Sequence, residues 1–399
     1  MNAFTSLPSF EFDDKILMQG AEISRKLDQL RLENFPPDAR KTLRHFSVAE
    51  VAHYLGVTPS NLKRLYLDGK GPTPTTMSGN RKYYTAQQMM ELRFFLDRTG
   101  KTEAKRYVPH RKQGDKLQVV AVVNFKGGSG KTTTAAHLGQ HLALTGHRVL
   151  LVDLDPQASL SALHGFQPEL DRNPSLYDAL RYDDDRKPIS DIILPTNFPG
   201  LDIVPANLEL QEYEYDTPLA MQQSGSEGKR FFTRFGKALE EVDSCYDVVV
   251  VDCPPQLGYL TLTALTAATS VLITVHPQML DLMSMSQFLL MLGNITKTIK
   301  TAGANVRMDW LRYLITRFEP SDIPQVQMLG FMQSMLAEEI LKSQMVKTTA
   351  ISDAGLTKRT LYELDRSNFT RETYDRAIEC MDAVNFEIQG LIHRAWGRL

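Results

Sequence analysis

The residue types best suited to chemistry in this 399-residue chain fall in one run, Lys126-Gly-Gly-Ser-Gly130-Lys131-Thr132-Thr133. The apolar, β-branched stretch Val119-Val-Ala-Val-Val precedes it, and a helix-forming segment, Ala135 to Thr145, follows. Strand, glycine-rich turn and helix in that order build a phosphate site. Backbone N–H groups of Lys126, Gly127, Gly128, Ser129, Gly130, Lys131, Thr132 and Thr133 can turn inward around the oxyanions, and the helix N-terminus adds its partial positive charge. Glycine serves there because backbone must approach phosphate closely, in conformations that a side chain blocks. Such a loop sets Lys131 on the β- and γ-phosphates and the Thr132 hydroxyl on Mg²⁺.

Three carboxylates stand where strands should end. Arg148-Val-Leu-Leu-Val-Asp153-Leu-Asp155 puts two of them at i and i+2, and strand alternation turns both to one side of a sheet. Tyr246-Asp-Val-Val-Val-Val-Asp252 is a Walker B pattern, whose acid fixes a metal through its bound water. Pro254-Pro255 and Gly258 then open a loop that a γ-phosphate can order. Phosphoryl transfer to water also needs charge neutralised on the γ-phosphate, and a cationic finger contributes roughly 10³–10⁵-fold in rate.

The usual phosphate-loop pattern carries glycine five residues before Gly130, where this chain has Phe125, and Lys126 precedes the double glycine instead. Lys-Gly-Gly-x-Gly-Lys-Thr-Thr resembles the deviant Walker A motif of the ParA/MinD family of dimeric ATPases. The resemblance implies a homodimer with ATP and Mg²⁺ held between two copies. It makes Lys126, Lys131 and Asp155 catalytic: Asp155 orients the attacking water, and Lys126 reaches the nucleotide of the opposite subunit. Thr132, Asp153 and Asp252 become the metal-site residues, Asp153 acting through the Mg²⁺ shell or through the hydrogen bonds of its loop. The choice of ATP over GTP rests on the resemblance alone; Thr316-Arg317-Phe318 could approach the base.

Elements must bring these groups together. Apolar runs at 119–124, 148–153, 246–252, 270–275 and 311–316 alternate with helical or loop segments. That pattern predicts an α/β fold, a P-loop NTPase with a mostly parallel sheet flanked by helices on both faces, and ligands at the carboxyl ends of its strands. This ATPase domain is expected over 118–399. Before it, 1–40 reads as an N-terminal helix, stopped by Pro36-Pro37, with Ile16, Ile23, Leu27 and Leu30 on one stripe that must pack on a second copy, as in a dimer, or on its own chain.

Residues 41–98 read as a winged helix-turn-helix. Ser47 with Glu50 forms a capping box, Gly56 a stop, and Thr58-Pro59 the start of a second helix. That second helix would present Ser60, Asn61, Lys63 and Arg64 to a DNA groove. A β-wing follows, with Arg81 and Lys82 available to phosphates, and Thr85 with Gln88 caps a third helix. The run from Phe46 to Arg93, closing on Arg-Lys-Tyr-Tyr-Thr, resembles the winged helix of MerR-type regulators. Residues 99–117, polar and basic, read as a linker that lets the two domains move.

Charge supports the division. Residues 40–112 hold fifteen Lys/Arg against five Asp/Glu, although the whole chain has a net charge of only −2. A basic block on an acidic body is the footprint of a nucleic-acid module. The resemblance to ParA-type ATPases implies further candidates in the C-terminal third, Lys347, Lys358 and Arg359, for DNA contact without sequence preference, against a merely solvated surface. The final helix, about Thr370 to Trp396, sets Tyr374, Ala377, Ile378, Met381, Val384, Ile388 and Leu391 on one face. Asp375, Glu379, Asp382 and Glu387 punctuate it, which favours packing on the ATPase domain over a membrane surface.

Cys245, Cys253 and Cys380 are odd in number and widely spaced, as expected of reduced thiols rather than a disulfide framework or zinc site. They also lack the pairing an inter-subunit iron–sulfur cluster would need. With no signal peptide and no apolar run of membrane length, the chain reads as cytoplasmic.

The whole pattern resembles long ParA proteins, and within them the RepA branch of repABC-type replicons. By that resemblance the protein is nucleoid-associated, binds nucleoid DNA non-specifically with ATP, and represses its own operon through operator DNA. A ParB/RepB-type centromere-binding protein would stimulate hydrolysis. A MinD-like membrane-associated positioning ATPase is the alternative.

Overall fold

The structure, a computed structural model, describes residues 11–34, 41–100, 107–166, 174–223, 228–304 and 306–398. Pro36-Pro37, the stretch 101–106 of the expected linker, and the side chains of Leu27 and Leu30 lie outside what is described. Helix α1 (Phe12–Asn34) belongs to one unit, and everything from Leu43 onward forms a second. On α1, Ile16 and Ile23 of the expected stripe are exposed, together with Phe12, Leu17 and Met18.

The second unit opens with β1 (Phe46–Ser47), α2 (Val48–Leu55), α3 (Pro59–Leu67), β2 (Thr75–Met77), β3 (Arg81–Tyr84) and α4 (Ala86–Thr99). Its strands form an antiparallel sheet in the order β1-β3-β2. Ser47 accepts from the Glu50 N–H while Glu50 accepts from that of Ser47, Gly56 takes a left-handed conformation (φ 65°), and Thr85 and Gln88 repeat the reciprocal cap on α4. These local signals were legible because each depends on residues three positions apart. Tyr84 is buried as packing, and Leu62 anchors α3.

Alternation of strand and helix then begins, with β4 (Gln118–Val123), α5 (Lys131–Leu144), β5 (Val149–Asp153), α6 (Ser159–Leu163) and α7 (Leu176–Leu180). A short pair, β6 (Leu194–Pro195) and β7 (Leu201–Val204), leads to α8 (Glu212–Gln223) and α9 (Arg234–Glu240). The chain continues through β8 (Val248–Asp252), α10 (Tyr259–Ala267), β9 (Ser270–Val275), α11 (Met279–Thr301), β10 (Trp310–Ile315) and α12 (Ile323–Leu336). It closes with α13 (Thr349–Leu356) and α14 (Arg371–Ala395).

Among the described residues the main sheet has seven strands in the order β10-β9-β4-β8-β5-β7-β6, with every pairing parallel except that of β6 and β7. The run Gln118–Val123 is buried throughout. Val120 and Val122 join one apolar core, while Val119, Ala121 and Val123 join another on the opposite face. Two covered faces are why these strands read as continuous valine runs.

The stretch taken as a free linker is tied down in its described part. Arg111 donates from its backbone N–H to buried Asp247 (2.9 Å) and from its guanidinium to the Tyr246 carbonyl (3.0 Å). Phe46, Val51, Leu62 and Leu92 share one continuous apolar core with Leu138, Leu142 and Val384. Expected freedom between the two parts therefore gives way to a packed contact, in which Arg111 of the connector bonds a carbonyl and a carboxylate of the sheet domain.

Helix α14 spends its apolar face within the chain. Tyr374, Ala377, Met381, Val384, Ile388 and Leu391 are buried, as expected, and Ile378 is half-buried. No helix among the described residues is long and apolar enough to cross a membrane.

Candidate nucleotide site

The carboxyl end of β4, between β8 and β9, releases the glycine turn into α5. Gly128 (φ 75°) and Gly130 (φ 88°) adopt left-handed conformations, where a side chain is strained. The turn is buttressed from two neighbouring strands. Thr274 at the end of β9 donates to the Ser129 hydroxyl (3.0 Å), and Thr316 just past β10 donates to the Ser129 carbonyl (2.8 Å). Asn124 accepts from the Lys126 N–H (2.9 Å) and donates to the Thr274 carbonyl. Arg317 donates to the Gly128 carbonyl (3.3 Å). Asn124, Thr274 and Thr316 escaped notice as supports because their partners lie 150 or more residues away in two of these bonds.

A cavity of about 560 Å³ opens over this turn. Gly127, Gly128, Ser129, Gly130, Lys131, Thr132 and Thr133 line it, and Asp155, Gln157, Ser159 and Pro255 close one side. Thr316, Arg317, Met345, Val346, Lys347, Thr348 and Ile351 close another. Thus Thr316 and Arg317, expected near the base, do border the cavity, while Phe318 is buried in the core.

Buried Lys131 donates from Nζ to the Lys126 carbonyl (3.2 Å). Burial lowers its pKa, opposed by the charges of Asp252 and Asp155. Asp155 is held by the Gln157 N–H (3.0 Å) at the cavity wall.

Asp252 and Asp153 are fully buried and face each other in register on neighbouring strands. Burial first, and then each other's charge or that of Asp155, push both carboxyl groups up, Asp153 to about 7. Their bonding differs. Asp153 accepts from the Ser161 N–H (2.8 Å), the Ser161 hydroxyl (2.7 Å) and the Asp155 N–H (3.3 Å). Both of its oxygens thereby organise the loop from Asp155 to Ser161, the second of the two roles expected for it. Neither oxygen of Asp252 has a partner at full hydrogen-bond geometry, although the Thr132 hydroxyl is near enough to favour its charged form, as does Lys131. A buried carboxylate left open next to a phosphate turn and a threonine hydroxyl fits a hard cation such as Mg²⁺.

Lys126 ends 2.7 Å from Asp281, a buried carboxylate in the first turn of α11. Asp281 was not singled out in the sequence, where it lies 155 residues from its partner. Lys347, expected on a DNA face, lies at the cavity wall and pairs with Glu319 (2.8 Å). Lys358 and Arg359 follow α13, the first half-buried and the second exposed.

Away from the cavity, Ser60, Lys63 and Arg64 are exposed on α3 and Asn61 is half-buried. Arg81 is exposed on β3, while half-buried Lys82 bonds the Thr76 hydroxyl (2.5 Å) and lies 5.2 Å from the Tyr66 ring.

Residues 117–304 match the model of a family described as an AAA domain. A Sinorhizobium fredii (strain NGR234) protein carrying the provisional name replication protein A is 68% identical over 97% of this chain and 95% of its own length. The chromosome partitioning protein ParA of Caulobacter vibrioides is 30% identical over 60% of this chain and 84% of its own. Among solved structures, a Mycobacterium smegmatis cobyrinic acid a,c-diamide synthase with bound ATP analogue and magnesium is similar with a TM-score of 0.50. It is 30% identical and covers 61% of this chain and 91% of that one.

Proposed function

The chain belongs to the ParA-type partition ATPases, and from that footing we propose that it hydrolyses ATP to drive DNA segregation. The observation that carries this reading is the meeting of Lys131, Thr132 and Asp155 at one cavity, with the open carboxylate of Asp252 beneath it. The glycine turn binds the phosphates through its N–H groups, and Lys131 neutralises their charge. Asp155 sits where a water attacking the γ-phosphate can be oriented. Thr132 and Asp252 would hold Mg²⁺, which supplies charge to the phosphates when bound.

Lys126 is the residue that couples hydrolysis to assembly. In a single chain it pairs with Asp281; in a dimer it would exchange that carboxylate for the partner's nucleotide. The ATP-bound homodimer would then bind nucleoid DNA without sequence preference, and a ParB/RepB-type partner would raise the hydrolysis rate. The exposed residues of α3 and the β2–β3 wing would read operator DNA in the ADP or apo state, giving autorepression. Lys347 is a weaker candidate for DNA contact than Arg359, because the cavity and Glu319 already engage it.

The experiment is DNA binding by apo, ADP-bound and ATP-bound protein, with operator and random duplexes in parallel. Preference for operator with ADP and its loss with ATP is the expected result. One preference in all three states would remove the proposed switch.

A further inference from the structure

The loop after Asp252 is held at both ends by groups from outside it. At its start, the Cys253 N–H donates to the Val122 carbonyl of β4 (3.2 Å). Its end is the N-terminus of α10, where Gly258 occupies the cap position and offers no side chain. Glu214 of α8 fills that role from 45 residues away: one carboxylate oxygen accepts from the Tyr259 N–H and the other from the Leu260 N–H, each at 2.9 Å. Two of the N–H groups that a helix leaves unsatisfied at its start are thereby met, by a charge that complements the helix dipole. The fit is close, since a Cβ on Gly258 would fall 2.4 Å from a Glu214 oxygen. Between the two anchors, Pro255 lines the nucleotide cavity.

The segment that carries Glu214 also serves the other acidic loop. The Ala206 N–H, just past β7, donates to the Ser161 hydroxyl (3.0 Å), which in turn donates to Asp153. One connection, from Ala206 to Glu214, therefore references both the Asp155–Ser161 loop and the Cys253–Gly258 loop.

We propose that Glu214 is a positioning residue for hydrolysis: by capping α10 from α8 it sets the Cys253–Gly258 loop, and with it the γ-phosphate side of the cavity, relative to Asp155. This rests on the ATPase reading above. Glu214 touches no phosphate in this role. Phosphate affinity is set by the glycine turn, so loss of the cap should fall on kcat and leave KM nearly unchanged.

The test uses the full chain with Mg-ATP and two variants that attack the cap from opposite sides. Glu214→Gln keeps the shape but turns an NH₂ group toward a backbone N–H. Gly258→Ala leaves Glu214 in place and pushes its carboxylate away. Each should lower kcat about ten- to a hundredfold, the scale on which a misplacement near 1 Å acts, with KM within about twofold. Amide exchange at Tyr259 and Leu260 should rise in both, with the melting temperature little changed. Should one variant fail to fold, the other decides. A folded variant with wild-type kcat and raised exchange at those amides would reduce the cap to a structural one and overturn the proposal. Unchanged exchange would overturn it too. Wild-type protein that binds ATP and turns none over would overturn the ATPase reading and this inference together, a result distinct from either.

Discussion

At the scale of single residues, the site places acids where water cannot reach them. Asp153 is pushed up to about 7 by burial, with the Asp155 charge adding to it and the Ser161 hydrogen bonds opposing it, and Asp252 is pushed in the same direction. A carboxyl group raised in the folded state binds more protons there than in the unfolded chain. Its stability contribution is therefore complete below about pH 4 and is lost as pH rises toward about 7. In nucleotide-free protein this falling contribution runs against the rising one of His137, His147 and His393, whose pKa values burial lowers. Asp153→Asn should therefore make stability rise more steeply with pH between about 4 and 7, which chemical denaturation at several pH values measures. The Lys126–Asp281 pair makes a second residue-scale prediction. The Lys126 side chain is 44% exposed, so Lys126→Ala should fold normally, yet it should lose ATP-dependent dimerisation in light scattering. Normal ATP-dependent dimerisation by that variant would remove the proposed cross-subunit role.

At the scale of elements, α5 and α14 form the support beneath the phosphate turn. His137 of α5 accepts from the Leu361 N–H (3.2 Å) and bonds the Thr133 carbonyl (2.7 Å), while Asn385 of α14 donates to the His137 carbonyl (3.3 Å). Ile388 is wholly buried in this packing. Ile388→Ala should cost about 2–5 kcal/mol in urea unfolding, without touching the phosphate turn itself. What could be read in advance follows the range of the signal. The caps at Ser47, Thr58 and Thr85 depend on neighbours in sequence, and the central strands announce themselves by unbroken valine. The short strand β7 did not, because its four residues, Leu201–Val204, gain their partners only through β5 and the two-residue β6. Nothing in the local sequence marks Glu214 or Asp281; only the fold carries them to α10 and Lys126.

Across the whole unit from Leu43 onward, the decisive feature is the seat of the segment from β1 to α4. Arg93 of α4 is buried and donates to three carbonyls: Tyr54 at 2.9 Å, Leu144 at 3.0 Å and Tyr107 at 2.8 Å. Leu144 ends α5, the helix that starts at the phosphate turn. Gly146 leaves room for the Arg93 side chain, since a Cβ there would fall 2.4 Å from its Cδ and 2.5 Å from its Nε. Arg44 adds a bond to the Tyr362 carbonyl (3.1 Å), and Tyr362 donates to Asp382 (2.7 Å). No local pattern revealed this joint, because a basic, polar connector reads as a linker whether or not its cations find carbonyls elsewhere. Arg93→Ala removes its donors from two buried carbonyls and a half-buried one, each bond to a charged group being worth about 1.5–3 kcal/mol. Calorimetry should show one cooperative transition for the wild-type unit and two separated ones for the variant.

The account stands on ATP cleavage at the cavity over the glycine turn, and its most direct measurement is phosphate release from Mg-ATP by wild type and by Asp155→Ala. Turnover by the wild type, with ATP still bound but not cleaved by the variant, is the predicted result. Equal turnover by both, or none by a wild-type protein that binds ATP, would contradict it.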